Sequence, residues 1–204
     1  MHKNSHSKME WFKNNYLNTA AKLEILDVGS LDGKGNYNYS DIFDEKNWKY
    51  TGLDIQGGNN VDIVITDIYN WFEIADNSYD VIISGQFFEH LEFFWLAMSE
   101  IRRVLKPGGY VCIIAPSAGP KHGGNMPNCY RFYEDGLKAM AKYVDLEVLH
   151  ASVDERTEAK PWNDACLVAR KTGVLDNNTE SKELEGRINN LENKLDSILD
   201  ALNK

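Results

Sequence analysis

No run of about 18 apolar residues occurs in the 204-residue chain, which argues against a membrane-spanning helix. Met1–Lys8 is polar and has no apolar h-region, so it does not read as a secretory leader. Cysteine is scarce. Cys112, Cys129 and Cys166 are odd in number, far apart and never spaced C-x-x-C. That argues against a disulfide framework or a thiolate zinc site and favours a reducing, cytoplasmic setting. Basic residues are outnumbered, 22 against 31 acidic, for a net charge of -9. Without a Lys/Arg stripe, long nucleic acid is a poor candidate partner. What is present is 43% hydrophobic residues, enough for one compact core.

The apolar runs Leu23–Val28, Tyr50–Ile55, Val61–Thr66, Tyr79–Ser84, Tyr110–Ala115, Leu146–His150 and Ala165–Arg170 predict strands. Met9–Leu17 predicts a short amphipathic helix within residues 9–19. Phe87–Leu105 predicts a second helix, stopped by Lys106-Pro107-Gly108-Gly109, and Glu134–Tyr143 a third. Strands alternating with helices give an α/β class: a mostly parallel, Rossmann-like sheet covered on both faces over residues 1–171. A polar linker, 172–181, then leads to 182–204. There Leu184, Ile188, Leu191, Leu195, Ile198 and Leu202 step by four and three. This pattern predicts a coiled-coil helix and a homo-oligomer formed through 184–202. A terminal helix folded on its own domain is the alternative.

Chemistry-bearing residues gather at predicted strand ends. Asp27-Val28-Gly29-Ser30-Leu31-Asp32-Gly33 is a strand followed by a sharp turn where a ligand can approach closely. Asp27 can accept from an ammonium group. Asp54, before Ile55, can accept both hydroxyls of a ribose, and Asp67, before Ile68, can accept from an adenine amino group. Three acids at successive strand ends are better explained by one nucleoside site than by three solvated side chains. Ser84-Gly85-Gln86-Phe87-Phe88-Glu89-His90 brings further polar groups to the mouth of the sheet. The turn lacks Gly-x-Gly-x-x-Gly, which argues against a nicotinamide oxidoreductase.

Ser78–Ser84, Glu89-His90-Leu91 and Glu100-Ile101-Arg102-Arg103-Val104-Leu105-Lys106-Pro107-Gly108-Gly109-Tyr110 together resemble class I methyltransferases of the broad quinone-biosynthesis-like superfamily. The likeness covers about Leu23–Arg170. Ala115–His122 and Cys129-Tyr130-Arg131-Phe132-Tyr133 resemble methyltransferases found among bacterial surface-polysaccharide enzymes. The resemblance implies S-adenosylmethionine as cofactor. Asp54 and Ile55 would hold its ribose, Asp67 and Ile68 its adenine, and Asp27, Gly29, Ser30 and Gly33 its methionine end, with Ser84 and Gln86 beside the sulfonium. Leu31 departs from the family's Asp-x-Gly-x-Gly-x-Gly loop at the middle glycine.

The expected acceptor is a sugar hydroxyl of a glycan or glycan precursor. Alternatives are a phenol or amine, or a silent scaffold assembling through the coiled coil. His90, Glu89 and His122 are the candidate bases, and Tyr130 and Arg131 the candidate acceptor contacts. A Glu-x-x-Glu-His motif with an outlying histidine binds a divalent ion in some related O-methyltransferases. Gln86, Glu89, His90 and His122 would be its counterpart here, but neutral Gln86 weakens a hard-cation site, so no metal is expected.

Overall fold

The computed structural model describes residues 3–32, 38–122, 126–156 and 159–173. The heptad segment 182–204 and Gly33 lie outside the described residues. The elements run α1 Lys3–Tyr16, β1 Leu23–Val28, β2 Trp48–Asp54, β3 Ile63–Val64, β4 Tyr79–Gly85, α2 Phe94–Val104, β5 Leu105–Ala115, α3 Glu134–Tyr143, β6 Leu146–Val153 and β7 Ala165–Lys171. The strands form one sheet in the order β3-β2-β1-β4-β5-β7-β6. β7 runs antiparallel to both β5 and β6, and the other pairings are parallel. The strand order reverses between β1 and β4, which opens a crevice at their carboxyl ends.

Two-residue alternation divides the core. Leu26, Ile82, Val111, Ile113 and Leu167 face one side, where Met98 and Ile101 of α2 and Leu137 and Met140 of α3 cover them. Ile25, Ile83, Cys112, Ile114 and Val168 face the other, covered by Met9 and Phe12 of α1 and by Tyr39, Phe43 and Trp48. Both faces are therefore covered, as the strand pattern predicts. Among the described residues no helix is long and apolar enough to cross a membrane.

Helix α1 begins six residues before the apolar pattern does. Its polar first half is held by specific partners: Ser5 Oγ lies 2.6 Å from Tyr39 Oη, and Asn4 donates to Asp164 at 3.2 Å. The expected helix Phe87–Leu105 is interrupted. Phe88–His90 form a 3-10 turn and Leu91 is extended, at φ -84° and ψ 124°. The bond that would continue the helix joins the Phe93 amide to the Glu89 carbonyl. Instead Phe93 N donates to Tyr69 Oη at 3.2 Å, and the Glu89 carbonyl accepts from Cys129 N at 2.8 Å. The tertiary partners outcompete the local one.

The Glu100–Gly109 stretch has a structural task. Arg103 donates to the carbonyls of Ile74 and Trp71, at 2.8 and 2.9 Å, and to Glu100 at 2.6 Å, while Glu100 accepts from Trp71 N. This pair clamps the connection between β3 and β4 beneath α2. Lys106-Pro107-Gly108-Gly109 forms an irregularity in β5 opposite Asp80, with Gly108 at φ +81° and Lys106 bonded to Asp80 at 2.8 Å.

Candidate active site

At the end of β1 the chain turns through Gly29, at φ +80°, a conformation that favours glycine. A Cβ there would stand 2.5 Å from the Phe87 ring. The amides of Gly29 and Ser30 both donate to the Leu53 carbonyl, at 2.9 and 3.1 Å. They are therefore spent on the turn and do not form a phosphate cradle. Instead the turn overlies an acid. Asp27 is 2% exposed and accepts from Tyr50 Oη. Burial pushes its carboxyl up to about 7, against the pull of the Tyr50 bond, with Asp54 adding to the rise. A site of this kind suits a cationic ligand group, which would restore the ionised form.

Asp54 ends β2. Its Oδ2 accepts from Leu31 N at 3.2 Å and its Oδ1 from Gln56 N at 3.0 Å. Each carboxylate oxygen keeps a lone pair, the requirement for accepting two vicinal hydroxyls. Leu31, the departure from the glycine pattern, lies over Gly58, where a Cβ would stand 2.5 Å from Leu31 Cδ1. Ser30 is almost wholly buried and donates to the Asn60 carbonyl at 2.7 Å. Ile55 is 44% exposed at the rim. Asp67 is exposed and accepts from Tyr69 N at 2.8 Å, and the Ile68 carbonyl accepts from Trp71 Nε1 at 3.0 Å. The Ser84 side chain is completely buried and donates to the Val28 carbonyl at 2.8 Å, tying β4 to β1.

Gln86 leaves β4 at φ +58° and donates through Nε2 to Asp164 at 3.1 Å. Beyond it the interrupted helix turns Glu89 inward, where it is 0% exposed. Neither of its carboxyl oxygens has a hydrogen-bond partner among the described residues. Burial pushes this carboxyl up to about 7. His90 Nε2 and His122 Nε2 each stand 3.6 Å from Glu89 Oε1. The three candidate bases, one of them far along the chain, are thus brought together. His90 Nδ1 lies 2.6 Å from the Pro127 carbonyl. A carbonyl can only accept, so Nδ1 carries a proton. The His122 ring packs on Trp162, with centroids 4.6 Å apart.

Tyr130 and Arg131 occupy anchoring roles. Tyr130 Oη donates to the Glu92 carbonyl at 2.8 Å. Arg131 donates to the carbonyls of Ala118, Tyr130 and Pro120, at 3.0, 2.8 and 2.6 Å. These bonds shape the loop that carries His122. Tyr50, Asn60, Asp164 and Trp162 are site-shaping residues that sequence reading missed. Tyr50 left a trace: it shares a face of β2 with Gly52, the residue in register with Asp27.

Sheet order and switch-point crevice define a Rossmann-like fold with the strand-end acids gathered at its mouth. Residues 26–113 match the methyltransferase domain family. A Burkholderia thailandensis 1,6-didemethyltoxoflavin-N1-methyltransferase, solved with S-adenosylhomocysteine, is similar at 16% identity, 83% coverage of this chain, 75% of its own and a TM-score of 0.59. A Methanosarcina mazei S-adenosylmethionine-dependent methyltransferase is 17% identical, with 79% and 97% coverage and a TM-score of 0.57. One from Aquifex aeolicus is 16% identical, with 84% and 100% coverage and a TM-score of 0.55. No curated protein matches in sequence. The domain match supports an enzyme with methyltransferase activity, and the solved methyltransferases share its fold.

Proposed function

We propose that this chain transfers the methyl group of S-adenosylmethionine to a hydroxyl of a small acceptor, a sugar hydroxyl of a glycan or glycan precursor being the first choice. The observation that carries the hydroxyl reading is the buried Glu89 carboxylate with the imidazoles of His90 and His122 converging on one of its oxygens. A hydroxyl is a weak nucleophile until its proton leaves, and a positioned base contributes about 10²- to 10⁴-fold. A neutral amine carries its own lone pair and needs no such group.

The residues fit the cofactor chemically. Asp54 retains two lone pairs for the ribose, and Asp27 is a buried acid suited to an ammonium group. Once bound, the cofactor supplies an activated methyl on a sulfonium. The protein's own share is placement and proton removal. Gly29 and Phe87 shape the turn beside Asp27, Gln86 is fixed by Asp164, and the Glu89 cluster receives the hydroxyl proton. The Trp162 ring beside His122 offers an apolar wall suited to the face of a sugar ring. The likeness of Ala115–His122 to surface-polysaccharide methyltransferases supports the sugar class.

Calorimetric titration with S-adenosylmethionine tests the reading. The expected result is micromolar binding by the wild-type chain and its loss in Asp54→Ala. A methyl-transfer screen over sugars, phenols and amines then follows, with His90→Gln and Glu89→Gln lowering turnover at least about 100-fold on the true acceptor. A folded wild-type chain that binds no cofactor overturns the proposal and favours the scaffold alternative.

A further inference from the structure

Helix α1 carries Asn4, Lys8 and Trp11 at i, i+4 and i+7, along one stripe. Strand β6 carries His150 and Ser152 two residues apart, on one face of the sheet. A cavity of about 440 Å³ lies between that stripe and that face, lined also by Arg156 and by buried Cys166, the register partner of Ser152 on β7. Its size falls within the range of small-molecule sites, about 300–1,000 Å³. The chain is acidic overall, yet two cations, Lys8 and Arg156, line this cavity and, among the described residues, no carboxylate does. Asp154, outside the lining, accepts from Arg156 Nε and Nη2 at 2.8 and 2.6 Å and lies 3.7 Å from Lys8 Nζ. One carboxylate against two cations leaves a surplus of one positive charge. The Lys8 contact is longer than a hydrogen bond. Its side chain is only 16% exposed, and its ammonium has no hydrogen-bond acceptor among the described residues. A largely buried ammonium costs free energy until an acceptor meets it.

We propose that this pocket binds a sugar ring bearing one carboxylate, a uronate, with the carboxylate on Lys8 and the ring against Trp11. Trp11 and His150 make an aromatic corner, with ring centroids 4.8 Å apart at 52°. Such a face is apolar and suits the C–H face of a sugar. The Ser152 hydroxyl, 2.8 Å from His150 Nε2, keeps further hydrogen-bonding capacity, which sugar hydroxyls would use and an aryl ring would not. The single surplus charge matches a carboxylate. A phosphate monoester brings about -1.5 to -2, more than the surplus. A neutral sugar would leave the Lys8 ammonium without its acceptor.

Asn4 joins this pocket to the candidate site. The side chain that lines the pocket also donates to one oxygen of Asp164, whose other oxygen accepts from Gln86 at the end of β4. The uronate is thus the acidic unit of the acceptor. That assignment rests on the reading of the chain as a sugar methyltransferase; uronate binding itself does not.

The test titrates the full chain with sodium glucuronate, followed by long-range proton–nitrogen spectra of its imidazoles. The expected Kd is about 1 mM, the affinity a ligand of this size reaches at ordinary efficiency. In the wild-type chain the His150 ring resonances should shift, a readout that needs no variant. Lys8→Met keeps the aliphatic stem and removes the charge, and it should weaken binding at least about tenfold. Lys8→Arg should recover part of that loss, and Trp11→Ala should weaken binding through the ring. Lys138→Met, at an exposed lysine of α3, should leave it unchanged. Glucose should bind at least about tenfold more weakly than glucuronate. No binding, glucose binding as well as glucuronate, glucose 1-phosphate or benzoate binding more tightly, indifference to Lys8→Met, or an unmoved His150 would each overturn the proposal. Glucuronate binding by a chain that transfers no methyl group would leave the pocket standing and count against the methyltransferase reading alone. Methyl transfer to a neutral sugar without glucuronate binding would do the reverse.

Discussion

Tyr50 reaches across from β2 to donate its phenolic proton to Asp27, and Asn60 in turn donates to the Tyr50 oxygen at 3.1 Å. The acid beneath the first turn is thus held in place by a chain of neutral donors, with burial keeping its carboxyl near 7.

That burial has a cost to stability with a definite sign. Between about pH 4 and pH 7 the native chain retains a proton on Asp27 that the unfolded chain has released. Stability therefore falls as pH rises across this window and levels off above it. The span from 3.8 to about 7 corresponds to about 4 kcal/mol if fully expressed. Urea denaturation of the wild type and Asp27→Asn from pH 4 to 8 isolates the effect. The difference between them should grow in favour of the variant as pH rises, and parallel curves would exclude it.

Cofactor affinity should run the other way. An ammonium group prefers ionised Asp27, so binding below about pH 7 must first expel its proton. Affinity for S-adenosylmethionine should weaken by up to about tenfold per pH unit from 7 toward 5. In Asp27→Asn the overall affinity should be lower and this pH dependence lost. Calorimetry in two buffers of different ionisation enthalpy would also detect the released proton.

Gly29→Ala combines two penalties: a left-handed backbone and a Cβ 2.5 Å from Phe87. A loss of about 2–4 kcal/mol is expected, since left-handed strain alone costs about 1–3. Phe87→Ala in the same chain should recover the steric part and not the backbone part. The double-mutant cycle would then give a coupling of about 1 kcal/mol or more, and strict additivity would show that the ring simply moves aside.

Arg103→Met removes the donors that serve the Ile74 and Trp71 carbonyls and leaves Glu100 with its bond from Trp71 N. With the Arg103 side chain 29% exposed, water offsets part of the loss, and about 2 kcal/mol is expected by chemical denaturation. Arg103→Lys should recover little of it, because one ammonium cannot reproduce the planar fork.

The sheet was legible because buried strands are short apolar runs bounded by turn residues. β1 matches its run residue for residue, and α3 does the same for its helical pattern. The break at Leu91 was not legible. Leu91, Phe94, Trp95 and Met98 keep helical spacing through it, and the deciding partners, Tyr69 and Cys129, are distant in sequence. The same limit applies to the site. Strand-end acids announce themselves locally, whereas the approach of His122 to Glu89 depends on a loop shaped by Arg131 and Asn128. Tyr130 and Arg131 stand out by polarity alone, and their bonds to the Glu92, Ala118 and Pro120 carbonyls leave no local signal in the sequence.

Asp164 receives both Gln86, at the end of β4, and Asn4, in the opening turn of α1. One buried carboxylate therefore fastens α1 to the candidate site at the end of β4. For protein production this matters: a fusion partner that pulls on Lys3–Ser5 would be registered at Gln86, so preparations differing only in their leading residues should be compared for turnover before any acceptor is judged inactive.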